Sequence, residues 1–181
     1  MNIYSVKDKS VTGKLETDFY VPVTIRFEQN DKRPRAILMY RIKNSKSSFI
    51  EFCINSSNKK LVRLTTVTIN SINRNQIIDN LPGNIEKGNP DFDLSLFKDT
   101  DIITDNTDFD VYLQRRKLTV LLDSLDKINT KIEMDYVTFL TDKQNKMIGL
   151  QFRNFSEDQW VLVCDSIKSH IKYAGLPSKD L

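Results

Sequence analysis

One pattern constrains the fold of this chain more than any other feature: two β-compatible runs joined by a polar turn and followed by a stretch with helical periodicity. The pattern occurs twice, at an offset of 86 residues. The first copy comprises residues 49–54, the turn 55–60, residues 61–69 and the helical stretch 72–81. The second comprises residues 132–140, the turn 141–146, residues 147–155 and the helical stretch 157–174. The repeat predicts two weakly similar halves, each a β-hairpin followed by a helix.

The residues before the first copy also favour strands. Residues 20–27 and 36–42 are β-compatible runs, and the polar turn 28–35 between them contains Pro34. A hairpin is the simplest interpretation of this arrangement. Together with the first hairpin of the repeat, these runs predict a four-stranded antiparallel meander over residues 19–69.

Two stretches of the second half predict helices. The large apolar side chains of residues 110–128 can form one stripe of a helix. They are Val111, Leu118, Leu121, Leu122, Leu125 and Ile128. The last helix has the clearest boundaries, because Ser156 and Gln159 have the spacing of a capping box. Its end is predicted at Gly175, where a glycine shortly before a proline is typical of a helix stop.

These elements predict an α+β fold, with antiparallel hairpins and a meander whose helices pack on one face. A parallel sheet is disfavoured, because the strands come in adjacent hairpins without helices between them. We expect a β-rich half with a short helix at residues 1–82, an acidic docked connector at residues 83–106, and an α-β-β-α half at residues 107–181. The sequence leaves open whether the halves form one continuous sheet or two domains.

The composition is that of a globular protein, with 39% hydrophobic and 28% charged residues in a chain of 181. No apolar run approaches the ~18 residues that a membrane-spanning helix needs, and the first ten residues lack the apolar stretch of a signal peptide. The expected location is therefore cytoplasmic. Cys53 and Cys164 each lie in an apolar segment, which predicts buried thiols and no disulfide.

The charge is unevenly distributed along the chain. Residues 1–80 contain 14 Lys and Arg against 7 Asp and Glu, a net charge of +7. Residues 81–110 contain 2 against 8, a net charge of −6, and residues 111–181 contain 11 against 9, a net charge of +2. Large apolar residues alternate with the aspartates of the acidic middle segment. A flexible linker would not contain them, so we expect this segment to dock on the body of the protein.

No pattern for a known catalytic chemistry is present in the sequence. His170 is the only histidine, which excludes a site built from several imidazoles. The five glycines form no phosphate-binding loop, and the run from Asp91 lacks the glycine and glutamate of an EF-hand. We therefore predict no catalytic residue, no metal site and no cofactor.

The leading hypothesis is a non-catalytic, cytosolic protein-binding module, of the kind represented by immunity or inhibitor proteins that neutralise a partner protein. The acidic segment could meet a partner that has a basic surface. The residues predicted to contact this partner are Asp91, Phe92, Asp93, Phe97, Asp99, Asp101 and Asp105. Membrane binding is not expected.

Two alternatives come from other functional classes. Basic and aromatic residues of the N-terminal strands could bind single-stranded nucleic acid by stacking and phosphate contact, with Arg33, Arg35 and Arg41 as the phosphate ligands. A metal-assisted hydrolase is the other alternative, with carboxylates from Glu133 and Asp135 on the second hairpin and from the acidic segment. Neither alternative has a specific sequence motif.

Overall fold

The computed structural model describes residues 1–6, 12–28, 36–73, 78, 80–114 and 116–173, and within these ranges the chain forms fourteen β-strands and one α-helix. The strands of the first part are β1 (Ile3–Val6), β2 (Gly13–Glu16), β3 (Val23–Phe27), β4 (Ile37–Lys43), β5 (Phe49–Asn55), β6 (Leu61–Thr68) and β7 (Asn84–Lys87). The remaining elements are β8 (Asn89–Phe92), β9 (Ile102–Asn106), β10 (Asp110–Gln114), β11 (Lys117–Leu121), a 3₁₀ turn (Leu125–Lys127), β12 (Thr130–Glu133), β13 (Val137–Thr141), β14 (Met147–Phe152) and α1 (Glu157–Tyr173).

Most of these strands belong to two six-stranded sheets. The first sheet has the order β2-β3-β6-β5-β4-β9, the second has the order β10-β11-β14-β13-β12-β7, and β1 pairs with β8. Pairing is antiparallel except at β4·β9 and β12·β7. The connector between the halves supplies β7, β8 and β9. Each six-stranded sheet therefore receives its last strand from the connector, and β7 crosses to the second sheet while β9 returns to the first.

The repeated hairpin is confirmed. β5 and β6 form the first copy, and β13 and β14 form the second. Lys59 and Asn145, which are equivalent at the offset of 86, both have a left-handed backbone, with φ of 56° and 61°. The similarity extends beyond the hairpin, because β2-β3-β6-β5-β4 and β10-β11-β14-β13-β12 have the same strand order.

One hydrophobic core joins the two sheets. It contains buried side chains from both six-stranded sheets, from β1 and β8, and from α1. Phe92 of β8 lies between the sheets, with its ring centroid 6.5 Å from that of Phe52 and 6.0 Å from that of Phe139. All three rings are at most 1% exposed. Edge-to-face contacts of this kind add to the stabilisation that comes from burial of the rings.

The predicted α+β class is wrong. The chain is mostly β, with 48% strand and 12% helical residues. Residues 110–128 form the hairpin β10–β11 and the 3₁₀ turn, not a helix. Val111 and Val120 face the main core, whereas Tyr112 and Leu121 belong to a second apolar cluster on the opposite face. A strand buried on both faces has few polar positions, so its apolar residues can also match a helical stripe.

Two further expectations for the first half fail. Where residues 72–81 are described, they contain no helix; residues 74–77 and 79 lie outside the described residues. The meander is correct only for β4, β5 and β6, because β3 pairs with β6 and not with β4. The predicted packing of helices on a hairpin meander is therefore wrong, and no helix follows the first hairpin in the described part.

The last helix is confirmed as far as Tyr173, and its predicted end at Gly175 lies outside the described residues. Its capping box is formed as predicted: the Ser156 N–H donates to Gln159 Oε1 at 2.9 Å, and the Gln159 N–H donates to Ser156 Oγ at 3.2 Å. Val163, Ile167 and Ile171 are buried in the main core. Neither α1 nor any other helical segment of the described residues has the length and apolar character to cross a membrane.

Candidate functional site

The acidic connector docks on the body of the protein, and several of the residues predicted to contact a partner are used for this docking. Phe92 is 1% exposed in the core, and Phe97 is half-buried against it. Asp91 lies on β8, opposite Tyr4 of β1. The ring of Phe92 therefore stabilises the fold and offers no surface to a partner.

Two of the predicted aspartates bind their own chain. Asp93 Oδ1 accepts a hydrogen bond from the Ser95 N–H at 2.9 Å. Asp105 accepts from the Tyr40 hydroxyl and from the Thr107 hydroxyl, both at 2.6 Å. Burial opposes the ionisation of Asp105, but the hydrogen bonds from Thr107 and Tyr40 hold the pKa of its carboxyl below its usual range. Burial and the bond to Asp105 raise the pKa of Tyr40. This pair holds β9 against β4.

The other two aspartates are exposed at the start of β9. Asp99 and Asp101 form no ion pair within the described ranges, and the apolar side chains of Leu96 and Ile102 beside them are 51% and 43% exposed. We call the surface formed by these four residues and Thr104 the β9 edge. It combines negative charge, exposed apolar area and the outer side of an edge strand.

The backbone of the β9 edge has a definite orientation. The Asp101 carbonyl accepts from the Met39 N–H of β4 at 2.8 Å. Because successive residues of a strand point their polar groups in opposite directions, the N–H and carbonyl groups of Ile102, Thr104 and Asn106 point away from β4. The Thr100 hydroxyl bonds both backbone groups of Ile102, at 3.1 and 2.9 Å. Among the described residues, no group bonds the outward N–H and carbonyl groups of Thr104 and Asn106, so an added strand could pair with them.

On the outer face of the first sheet, Glu51 is 8% exposed and lies between two arginines. Its carboxylate is 3.0 Å from Arg41 Nε and 2.9 Å from Arg63 Nη2. Cys53 lies beside this cluster, and burial raises the pKa of its thiol. Arg41, a residue of the nucleic-acid hypothesis, is therefore held in an ion pair within the sheet, and it shares the Glu51 carboxylate with Arg63. Arg33 and Arg35 lie outside the described residues, so the role proposed for them stays a prediction.

The outer face of the second sheet contains a polar cavity of about 550 Å³, which we call the trough. Thr138 and Gln151 line it and are 3% and 9% exposed, and Gln151 Nε2 donates to Thr119 Oγ1 at 3.0 Å. Its charged lining residues are Arg116, Lys117, Lys131, Glu133 and Arg153. The trough therefore has a net positive lining of four cations and one carboxylate.

The carboxylate of the trough is already paired. Glu133 Oε1 is 3.1 Å from Arg153 Nη1, and Arg153 Nη2 donates to the Met134 carbonyl at 2.8 Å. Lys131 Nζ donates to the Leu81 carbonyl at 2.7 Å. Over the described residues, no carboxylate lies within ion-pair distance of Arg116, Lys117 or Lys131. Among the described residues, these three positive charges of the trough therefore have no ion-pair partner.

Arg116 has an unusual backbone. It occupies the second position of the two-residue turn between β10 and β11 and has φ of 57°. This left-handed region suits glycine or asparagine, and an L side chain with a Cβ pays roughly 1–2 kcal/mol there. A long cationic side chain is therefore kept at the rim of the trough at some cost to stability.

The hydrolase hypothesis receives no geometric support. Glu133 forms an ion pair with Arg153. The backbone carbonyl of Asp135 accepts a hydrogen bond from Asn154 Nδ2 at 2.7 Å. Within the described ranges, no group of three His, Cys, Asp or Glu side chains could hold a metal ion. The two carboxylates lack the further ligands that a catalytic metal requires.

His170 joins α1 to two distant segments. Its Nε2 is 3.1 Å from the Tyr20 carbonyl oxygen, and the Ile69 N–H approaches its Nδ1 at 3.4 Å. The neutral tautomer with a proton on Nε2 satisfies both contacts, because Nδ1 then accepts. Burial lowers the pKa of His170 from its ordinary value of 6.5, and the hydrogen bond to Tyr20 opposes this shift only in part.

This geometry predicts a loss of stability in mild acid. Because the folded-state pKa of His170 lies below the unfolded value, its contribution is complete above about pH 6.5 and is lost as the pH falls through the folded pKa. The His170→Gln variant keeps a donor and an acceptor but does not titrate. Its free energy of unfolding should change less than that of the wild type between about pH 7 and pH 5.5, by roughly 1 kcal/mol or less, because an unfolded pKa of about 6.5 limits the linkage over this range. Urea unfolding at both pH values measures this, and identical pH dependence in the two proteins would contradict it.

Sequence reasoning missed the trough, and it identified only Asp99 and Asp101 of the β9 edge. The trough had one signal in the sequence: the run Arg115-Arg116-Lys117 interrupts the predicted helical stripe, and the structure places Arg116 and Lys117 at the tip of a hairpin. The strand of the β9 edge had no signal, because nothing in residues 102–106 indicates which strand they pair with. No protein-family model matches this chain, and no curated protein is significantly similar to it.

Proposed function

We propose that this chain is a protein-binding module that takes a partner at the β9 edge. The observation that carries the proposal is the combination found there: outward backbone groups at the end of a sheet, exposed Leu96 and Ile102, and the exposed carboxylates of Asp99 and Asp101. An exposed edge with these properties is a template for an added strand. The matching partner has an extended segment that contains basic and apolar residues.

The negative charge of the connector supports a partner with a basic surface. The connector strands give this end of the first sheet a negative potential, which attracts a basic surface and speeds association. The body of the connector is already docked, so binding would not have to order it. An inhibitor or immunity protein that covers the basic surface of its target is the functional class that fits this arrangement.

Proline at position 104 provides the decisive test. The Thr104 N–H points away from β4, so Thr104→Pro removes no hydrogen bond of the sheet, and proline is tolerated on the outer side of an edge strand. The variant should melt close to the wild-type temperature but lose more than tenfold of its partner affinity, about 1.4 kcal/mol or more. Binding is measured with a partner captured from the native source by the wild type and then purified.

The second sheet offers a matched control. The Asn84 N–H of β7 bonds to the Asn129 carbonyl at 2.8 Å, so the Ile85 N–H points outward from the other sheet. Ile85→Pro should leave partner affinity unchanged. Asp99→Asn with Asp101→Asn should weaken binding by roughly threefold to tenfold and make it less sensitive to salt. Equal affinity for the Thr104→Pro and Ile85→Pro variants would exclude the β9 edge as the binding surface.

A further inference from the structure

We propose that the trough on the outer face of the second sheet binds a small molecule that carries a phosphate group. The proposal is independent of the protein-binding function, because the trough and the β9 edge lie on different sheets. A cavity of about 550 Å³ is within the size range of small-molecule sites. Its lining is polar and bears positive charge, which selects an anion over an apolar ligand.

The arrangement of the cations favours phosphate. The pair Glu133–Arg153 neutralises itself, which leaves the charges of Arg116, Lys117 and Lys131 to face the trough. A phosphate monoester carries close to two negative charges at neutral pH and three acceptor oxygens. An arginine fork binds two such oxygens at once, and lysines add point charges around them. Three cations around one cavity that have no ion-pair partner in the described part of the chain thus match the charge and the acceptors of a phosphate group.

The backbone of Arg116 is a second, independent indication. A two-residue turn between antiparallel strands favours glycine or asparagine at the position with φ of 57°, yet this turn has arginine there. Strained backbone positions of this kind concentrate at functional sites. Arginine at this position lowers local stability, but it places a guanidinium at the rim of the trough.

The buried floor would let the site distinguish a ligand from bulk ions. Thr138 and Gln151 supply hydroxyl and amide groups at the base of the cavity, and the bond from Gln151 to Thr119 fixes the orientation of the amide. The body of a phosphorylated molecule could be oriented by these groups while its phosphate lies against the rim cations. Recognition by a rigid sheet requires little reorganisation on binding.

The proposal is tested with inorganic pyrophosphate as the probe, titrated into ¹⁵N-labelled protein at physiological salt. We expect saturable shifts of the amides of Arg116, Lys117, Thr138 and Gln151. Arg116→Gly should weaken pyrophosphate binding about tenfold, and it should melt at the same temperature as the wild type or higher, because glycine relieves the left-handed position. A purely structural role for Arg116 would not produce this combination.

A double variant that removes two positive charges, one more than Arg116→Gly, is the control. Lys43 and Lys143 are exposed and lie away from the trough, so Lys43→Ala with Lys143→Ala should leave pyrophosphate binding unchanged. Equal weakening by this control and by Arg116→Gly would overturn the proposal, as would shifts that do not saturate. A short single-stranded oligonucleotide that binds more than about tenfold tighter than pyrophosphate would also overturn it, because the ligand would then be a nucleic acid.

Discussion

Replacing Phe92 with alanine is expected to lower the free energy of unfolding by about 3–5 kcal/mol. The ring lies between the two six-stranded sheets and contacts Phe52 on one side and Phe139 on the other. Its removal would leave a cavity that neither sheet can fill, because both are held by ladders of hydrogen bonds. The loss corresponds to a decrease of roughly 6–20 °C in melting temperature for a chain of this size. Denaturant and thermal unfolding both measure it.

Phe19 provides a control of the same residue type. It is 45% exposed and contacts Tyr20 edge-to-face at 5.4 Å. Phe19→Ala should cost less than about 1 kcal/mol, because little of the ring is removed from water by folding. If Phe92→Ala were no more destabilising than Phe19→Ala, Phe92 would not be the link between the sheets.

The stability of the Phe92→Ala variant would also separate the role of the connector in the core from its role in partner binding. At the level of sequence, Phe92 was predicted to contact a partner, but its burial assigns it to the core. Loss of partner binding by the Phe92→Ala variant would therefore follow from unfolding or from movement of β8 and β9. Thr104→Pro, which should preserve stability, is the variant that tests the binding surface directly.

The second large effect is expected for Gly149→Ala, at about 3 kcal/mol of destabilisation. Gly149 lies on β14, opposite Leu121 of β11 and Leu140 of β13. A Cβ at this position would be 2.6 Å from the Val120 carbonyl oxygen and 3.0 Å from Leu140 Cδ1. The carbonyl belongs to the neighbouring strand, so the contact can be relieved only if β11 and β14 move apart. Equilibrium unfolding in urea measures the loss.

Gly13 is the matched control for this substitution. A Cβ there would meet only side-chain atoms, at 3.1 Å from Ile25 Cγ2 and 3.2 Å from Phe27 Cε1. Those side chains can shift by a few tenths of an ångström, so Gly13→Ala should change stability by less than about 1 kcal/mol. A similar loss for both variants would show that β11 and β14 are not as closely packed as the distances indicate.

Local sequence signals were sufficient for some elements. The polar turns 55–60 and 141–146 and the runs beside them predicted the repeated hairpin, because strands joined by a short turn pair with each other. The spacing of Ser156 and Gln159 predicted the start of α1, because a capping box needs only residues of one helical turn. In each case, the interactions that form the element lie within a few residues of one another.

The candidate site was only partly foreseen. The sequence indicated that the acidic connector docks, and it named Asp99 and Asp101, which are exposed on the β9 edge. It did not separate these residues from Asp93, which accepts a hydrogen bond from Ser95 two residues further on, or from Asp105, whose partner Tyr40 is brought to it by the fold. Tyr40, which bonds Asp105, is 65 residues away in sequence.

What the sequence alone determined about this protein is therefore its local structure: the two hairpins, their turns and the final helix. The tertiary structure decided the strand partners. Residues 110–121 have apolar side chains at spacings that suit a helix or a doubly buried hairpin, and only the presence of a core on each side selects the hairpin. Likewise, β7 and β9 are short strands whose sheets are set by backbone pairing with distant residues. The β9 edge and the trough both arise from these long-range choices, because each lies where strands distant in sequence meet.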